Sequence, residues 1–285
     1  MTCFSAVNSD KESLASLASR RHIQNMPFAR LNRTVFRLSG EGVEEWLSGL
    51  ITNEISDSTT FAALLTPQGK IIADFFIYRD GDTLLLDTPS KFAADLHKRL
   101  RMYRLRAPIE IEETGLTITA VWDMDEMDGT PDPRHPSLGN RIVSPSPKNQ
   151  TGDYNAHRLS LGVPDSEWDF ETQELFPADA NMDLLNGVNF SKGCFVGQEV
   201  VSRMKRMTTV KKRMRGIVFS SELGPTSKSK VFKGSREIGW MMHSHQTKNL
   251  GMAMIRLNRM DDAEGEIQVH RSPVQVMNAV DGLDH

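Results

Sequence analysis

The sequence holds only two cysteines, Cys3 and Cys194, and no CxxC pair. That excludes a disulfide-stapled scaffold and a self-contained zinc site of the cysteine type, and a reducing compartment is the natural setting. No apolar run approaches the roughly 20 residues that a membrane-spanning helix needs. An excess of one charge is missing too: 34 Lys and Arg stand against 37 Asp and Glu, a formal net charge of −3. Such a balance gives no global pull toward nucleic acid or an acidic membrane, so neither is an expected partner. There is no GxxxxGK[ST] phosphate loop, no GxGxxG after a strand, no HExxH and no GxSxG. Nucleotide-driven and hydrolase mechanisms therefore have no residues to stand on.

What is present divides the chain. Residues 1–25 are rich in Ser and Ala, with Arg20 and Arg21 near their end. They lack the apolar centre of a secretory signal, and Asp10 and Glu12 speak against a transit peptide, so a flexible N-terminal extension is expected. From Phe28 to Leu38 apolar and polar residues alternate loosely, as in a half-buried strand. Val43, Trp46, Leu47, Leu50 and Ile51 recur at helical spacing. Phe61 to Tyr78 reads as a hairpin turning at Pro67-Gln68-Gly69-Lys70. A strand from Thr83, a helix from about Ser90, and strands at Ile109–Ile111 and 116–121 follow.

Between Asp123 and Gln150, five prolines mixed with Asp, Ser and Gly suggest a long surface connection around one short strand at Arg141-Ile142-Val143. After Met207 six short candidate strands alternate with turns, as in a small barrel or sandwich. The expected fold class is α+β: a two-lobed body over residues 26–206 and a β-barrel over 207–285.

One segment carries chemistry: Lys192-Gly193-Cys194-Phe195-Val196-Gly197-Gln198-Glu199. Two glycines let the backbone turn sharply and approach a ligand. Gln198 and the acidic Glu199 suit the first turn of a helix. A thiol at a helix start beside a lysine is a setting that favours thiolate. Cys194 is thus a candidate nucleophile, redox residue or metal ligand, with a small buried hydrophobe as the bland alternative.

Lys-Gly-Cys-[Phe/Tyr]-x-Gly-Gln-Glu resembles the signature of the YgfZ-type folate-binding proteins, which include the mitochondrial assembly factor for 4Fe–4S targets. Four further stretches are similar to that family in the same order: Trp46 to Glu54, Leu64 to Ile71, Tyr103-Arg104-Leu105-Arg106, and Arg158 to Pro164. The wider superfamily includes the T-protein of glycine cleavage, a tetrahydrofolate-dependent aminomethyltransferase. That resemblance implies a three-lobed folate-binding fold around a central hole, with a C-terminal β-barrel. It places the catalytic carboxylate of those enzymes at Asp74, and the acid of their Arg-Leu-Glu-x-Gly context at Ser160. A second acid survives as Asp179. Losing the first carboxylate removes a bidentate acceptor for pterin N–H groups, which weighs against aminomethyl transfer.

From the resemblance, tetrahydrofolate is the expected cofactor, with Arg158, Asp179, Lys192, Gly193, Gln198 and Glu199 as binding residues and Cys194 and Asp74 as catalytic ones. Cys194 is also expected to ligate a transient iron–sulfur cluster shared with a partner. The expected partners are iron–sulfur assembly or carrier proteins and cluster-dependent enzymes. An accessory factor is favoured over a one-carbon transferase, and a bare interaction scaffold is the third reading. The bacterial cytoplasm is the first expectation for location, with the mitochondrial matrix as alternative. The basic run from Arg203 to Arg215 is a solvated face or a surface for an acidic partner or a folate polyglutamate tail. His243 and His245 are read as surface residues.

Overall fold

The computed structural model describes residues 27–123, 128–146, 150–206, 210–221 and 224–278. The N-terminal extension expected over 1–25 lies outside them, as does Cys3. A five-stranded antiparallel sheet is built from β2 (Arg33–Ser39), β3 (Thr60–Leu65), β4 (Ile71–Asp80), β5 (Thr83–Pro89) and β6 (Glu110–Glu113), in the order β3-β4-β5-β2-β6. A second antiparallel sheet runs β1-β7-β9-β8, from β1 (Phe28–Leu31), β7 (Thr117–Val121), β8 (Thr130–Pro131) and β9 (Asn140–Ser144). The stretch read as one strand, Phe28 to Leu38, is therefore two strands in two sheets.

Strand β4 is apolar on both faces because both are covered. Phe75 and Ile77 pack with Phe92, Leu96 and Leu100 of helix α2 (Ser90–Arg104) and with Leu47 of helix α1 (Val43–Ser48). Phe76 and Tyr78 point the other way, into a core shared with the second sheet. Asp74 has their parity, so it too faces inward. Helix α3 (Tyr154–Ser160) and the loops up to residue 197 close that core, and helix α4 (Gln198–Arg206) leads to the last lobe.

That lobe is a closed barrel. It uses β10 (Lys212–Phe219), β11 (Lys230–Lys233), β12 (Arg236–Ser244), β13 (Leu250–Arg256), β14 (Ile267–Val269) and β15 (Ser272–Val276), with helix α5 (Leu257–Asp261) between β13 and β14. Alternation along β13 divides its residues: Ala253 and Ile255 fill the barrel, whereas Met252 and Met254 join Met214 and Met242 against the body. Flexible methionines thus seal an irregular junction between two curved surfaces. His243 and His245 are not surface decoration. His243 bonds Asn155, and the buried His245 pairs with Asp153, so both tie the barrel to the α3 region.

The segment read as a surface connection contains some of the most buried charges in the molecule. Arg134 and Arg141 each lie about 1% exposed, and Asp132 and His135 are buried. Acidic partners on distant strands and loops make that burial possible. Strand β9 carries Arg141 inward, and Arg134 lies in the connection between β8 and β9.

Candidate functional site

The Cys194 loop is pinned from three sides. Lys192 is 8% exposed, and its ammonium donates to the carbonyls of Ser48 (2.7 Å), Ile51 (2.8 Å) and Asn53 (2.9 Å), at and just beyond the C-terminal end of α1. Burial holds that ammonium down at about 8, an effect that Glu54 opposes. Its three donors are consumed, so Lys192 fastens the loop rather than serving the thiol. Gln198 donates its amide to the carbonyls of Gly193 (3.2 Å) and Lys192 (3.4 Å), which folds the loop back on the start of α4. Gly197, at φ 81°, packs on Gly69 of the β3–β4 turn.

Cys194 itself is exposed and free. It stands in the loop just ahead of α4, which begins at Gln198 as the residue pattern suggested. A Cβ on Gly193 would meet nothing within 4 Å, so open space lies beside the thiol. Glu199 is also exposed. The result is a rigidly held loop with an accessible thiol on it. Such an arrangement can offer one sulfur ligand to a metal held elsewhere. Among the described residues, no group of three or more His, Cys, Asp or Glu side chains could hold a metal ion alone.

The remaining expected residues lie elsewhere. Asp74 is 6% exposed and accepts a hydrogen bond from the Ser166 hydroxyl. Burial, reinforced by Asp165, raises its carboxyl above the usual range. All five N–H donors of Arg158 are spent inside the protein: Asp169 and Asn155 take two each, and the Val163 carbonyl accepts the remaining one. Asp179 is buried, accepts from the Phe176 amide and pairs with Lys212 at 3.4 Å. Ser160, at the position of the missing acid, is exposed and bonds the His157 carbonyl.

Among the described residues, no hydrogen bond or ion pair joins Asp74, Arg158 and Asp179 to one another or to the Cys194 loop. Tetrahydrofolate would need acceptors and donors still available at one place. Of the groups expected to hold it, Arg158, Asp179, Lys192 and Gln198 are bonded within the protein, whereas Gly193 and Glu199 face solvent.

Sequence reasoning missed a buried ion network beside Asp74. Asp87 pairs with Arg33 and Arg141, Asp132 with Arg141 and Arg134, and Arg134 with Asp165. Tyr78 donates to Asp87, and Arg134 donates to the Tyr154 hydroxyl. Phe76 lies under Arg141 at 3.7 Å and Arg134 at 4.8 Å. Burial alone would raise the carboxyls of Asp87, Asp132 and Asp165, but the facing guanidiniums more than reverse that and leave all three below the usual range. Burial raises the Tyr154 phenol to about 12. No short motif announces this network, because its members are far apart in sequence.

Three comparisons bear on identity. No protein-family model matches the chain. A Pyricularia oryzae protein named iron-sulfur cluster assembly factor IBA57 homolog, mitochondrial, is 28% identical over 280 residues, covering 81% of this chain and 72% of that protein. The Neurospora crassa protein of the same name is 30% identical over 224 residues, covering 64% of this chain and 51% of that one. The human protein named iron-sulfur cluster assembly factor IBA57, mitochondrial, is 28% identical, covering 68% and 66%. The chain thus spans between about half and three quarters of these relatives. Among solved structures, the glycine cleavage aminomethyltransferase T of Bartonella henselae superposes with a TM-score of 0.70 over 91% of this chain and 88% of that one, at 11% identity. The three-lobed expectation and the closed C-terminal barrel are both met by that fold.

Proposed function

From a chain homologous to iron–sulfur cluster assembly factors and built on the T-protein fold, we propose a protein that assists the assembly or repair of iron–sulfur clusters through Cys194. The observation that carries this reading is an exposed, free thiol on a loop fastened by Lys192, Gln198 and Gly197. A cluster typically takes four thiolates, and among the described residues one cysteine lies at the site, so cysteines of a carrier or client protein supply the rest. In the exchange, Cys194 gives up its proton and its sulfur bonds iron. The thiolate it displaces takes up a proton, and no electron moves. Loop rigidity matters because a ligand held in one position loses little freedom when the bond forms.

Tetrahydrofolate has no step in this proposal, since Arg158, Asp179 and Lys192, three of the side chains expected to hold it, are bonded within the protein. Aminomethyl transfer with Asp74 is set aside for the same reason. The relatives' names support the mitochondrial matrix over the bacterial cytoplasm as the place of action.

The decisive experiment replaces Cys194 with Ala in cells lacking the native protein and measures 4Fe–4S enzymes. Their activity is expected to collapse while the protein level holds, and full activity in the variant would sink the proposal. Titration calorimetry with tetrahydrofolate under reducing conditions is expected to give no heat of binding. Saturable binding would restore the transferase reading.

A further inference from the structure

A cleft of about 420 Å³ lies between the body and the barrel, lined by Phe176, Asp179, Met204, Lys211, Lys212 and Arg256, with Asn258 and Arg259 at its edge. Its walls come from the loop before the Cys194 segment, from α4, and from the ends of β10 and β13.

Charge in this cleft is poorly balanced. Lys212 and Arg256 are directly opposed across the β10–β13 pair, an arrangement that costs stability when both charges are alike. Both crowd the Trp240 ring, at 5.6 and 5.0 Å. Lys70 sits 3.6 Å over the Phe176 ring, and its ammonium is lowered by burial and by the nearby positive Lys212, against the pull of Asp179 and Glu174. Glu237 pairs with Arg256 from the barrel side, and the buried Asp179 reaches Lys212 at 3.4 Å. Lys211 adds an exposed ammonium at the mouth. Positive charge therefore exceeds negative in the cleft, although the whole chain carries a net −3. An anionic occupant would relieve both repulsions.

The cleft is also coupled in space to the thiol loop. Met204, in its wall, belongs to α4, and Gln198 at the other end of α4 holds the carbonyls of Gly193 and Lys192. Lys70 follows Gly69, which packs on Gly197. A partner gripped in the cleft is thus held against the same helix and turn that fix Cys194.

We propose that this cleft docks a carboxylate-rich segment of a protein partner, whose cysteines then meet Cys194. The assignment of the partner as the cysteine donor rests on the iron–sulfur reading, whereas the cleft's preference for a polyacidic chain does not. The spread of cations over two strands, a turn and a helix fits several carboxylates on one chain better than a single small anion. The apolar faces of Phe176 and Met204 suit the methylenes of glutamates.

The test is calorimetry on the full chain with an end-blocked peptide of six glutamates, its glutamine counterpart, and inorganic phosphate. Expected is saturable binding of the glutamate peptide alone, weakening with salt as screened charges do. Lys211→Gln combined with Arg259→Gln is expected to weaken it by about tenfold, the ratio for about 1.4 kcal/mol lost over two contacts. Lys98→Gln, on the exposed side of α2, and Cys194→Ala are expected to leave it unchanged. Should the double variant fail to fold by circular dichroism, the single Lys211→Gln, at an exposed position, is expected to show a smaller loss in the same direction.

No binding of the glutamate peptide, unchanged binding by the cleft variants, or equal binding of phosphate would each overturn the docking site. Failure of Cys194→Ala to affect cluster enzymes would instead sink the iron–sulfur reading and leave peptide binding intact. The two outcomes are therefore separable.

Discussion

Gly197 lies directly on Gly69: a Cβ built on Gly197 would stand 3.1 Å from the Gly69 Cα and 2.7 Å from the Thr66 carbonyl oxygen. The contact joins the β3–β4 turn to the start of α4, so two stretches that look unrelated in sequence form one support for the Cys194 loop.

Gly197→Ala should therefore be costly. Its φ of 81° is unfavourable for any residue with a side chain, and the new methyl meets backbone rather than a side chain that can swing away. A loss of about 2 kcal/mol is expected, read as a lower urea midpoint, together with loss of function in the cluster assay. Gly193→Ala, with open space around its Cβ, is expected to stay within about 0.5 kcal/mol of the parent. Equal costs for both would show that the loop is not held as described.

Replacing Lys192 by Met keeps the stem and removes the ammonium. Three carbonyls, of Ser48, Ile51 and Asn53, then lose their shared donor. A cost of about 1–3 kcal/mol is expected from stranding acceptors away from water. Limited proteolysis should find the segment around Cys194 newly open to cleavage. Unchanged protection would mean that Gln198 and Gly197 suffice.

Much of the scaffold was legible because its signals are local. The β3–β4 hairpin follows from apolar runs around Pro67 and Gly69, and all six barrel strands follow from short apolar stretches between turns. The interior was not legible. Arg134 and Arg141 sit in a proline-rich stretch that reads as surface, and their partners Asp165 and Asp87 are 31 and 54 residues away. Arginine burial depends on such distant partners and leaves no local trace. For Cys194, the motif located both the loop and the helix start at Gln198, but nothing in it showed that Lys192 is spent on the carbonyls of Ser48, Ile51 and Asn53. The assignment of Arg158 to a ligand was equally blind to Asp169 and Asn155, which take four of its five donors.

Arg134→Met tests the network. The substitution leaves Asp165 buried without its guanidinium and Asp132 with Arg141 alone, and an uncompensated buried charge costs about 3–5 kcal/mol. Urea denaturation should show a shift of that order. The three carboxyls held low by these arginines add pH dependence. Their stabilisation is present above the unfolded value of 3.8 and is lost as pH falls through the lower folded values. The parent should therefore unfold in acid. Arg134→Met should lose part of that dependence, and an unchanged acid profile would contradict the pairing.

Asp74 carries the opposite sign and separates a structural role from a catalytic one. Its carboxyl is raised by burial and by Asp165, so the folded state binds a proton more tightly than the unfolded chain does. Its contribution is fully present below the unfolded value of 3.8 and is lost as pH rises through the folded value. At neutral pH it is therefore a cost, of about 1.4 kcal/mol for each unit of displacement. Asp74→Asn keeps an oxygen for the Ser166 hydroxyl and removes the ionisation. The variant is expected to match or exceed the parent in stability at pH 7, with the advantage vanishing toward pH 4 as the parent's carboxyl protonates. Cluster-enzyme activity in cells should be unaffected, since the proposed chemistry runs through Cys194. Activity lost in Asp74→Asn, with stability retained, would return this carboxyl to the reaction and with it the transferase alternative.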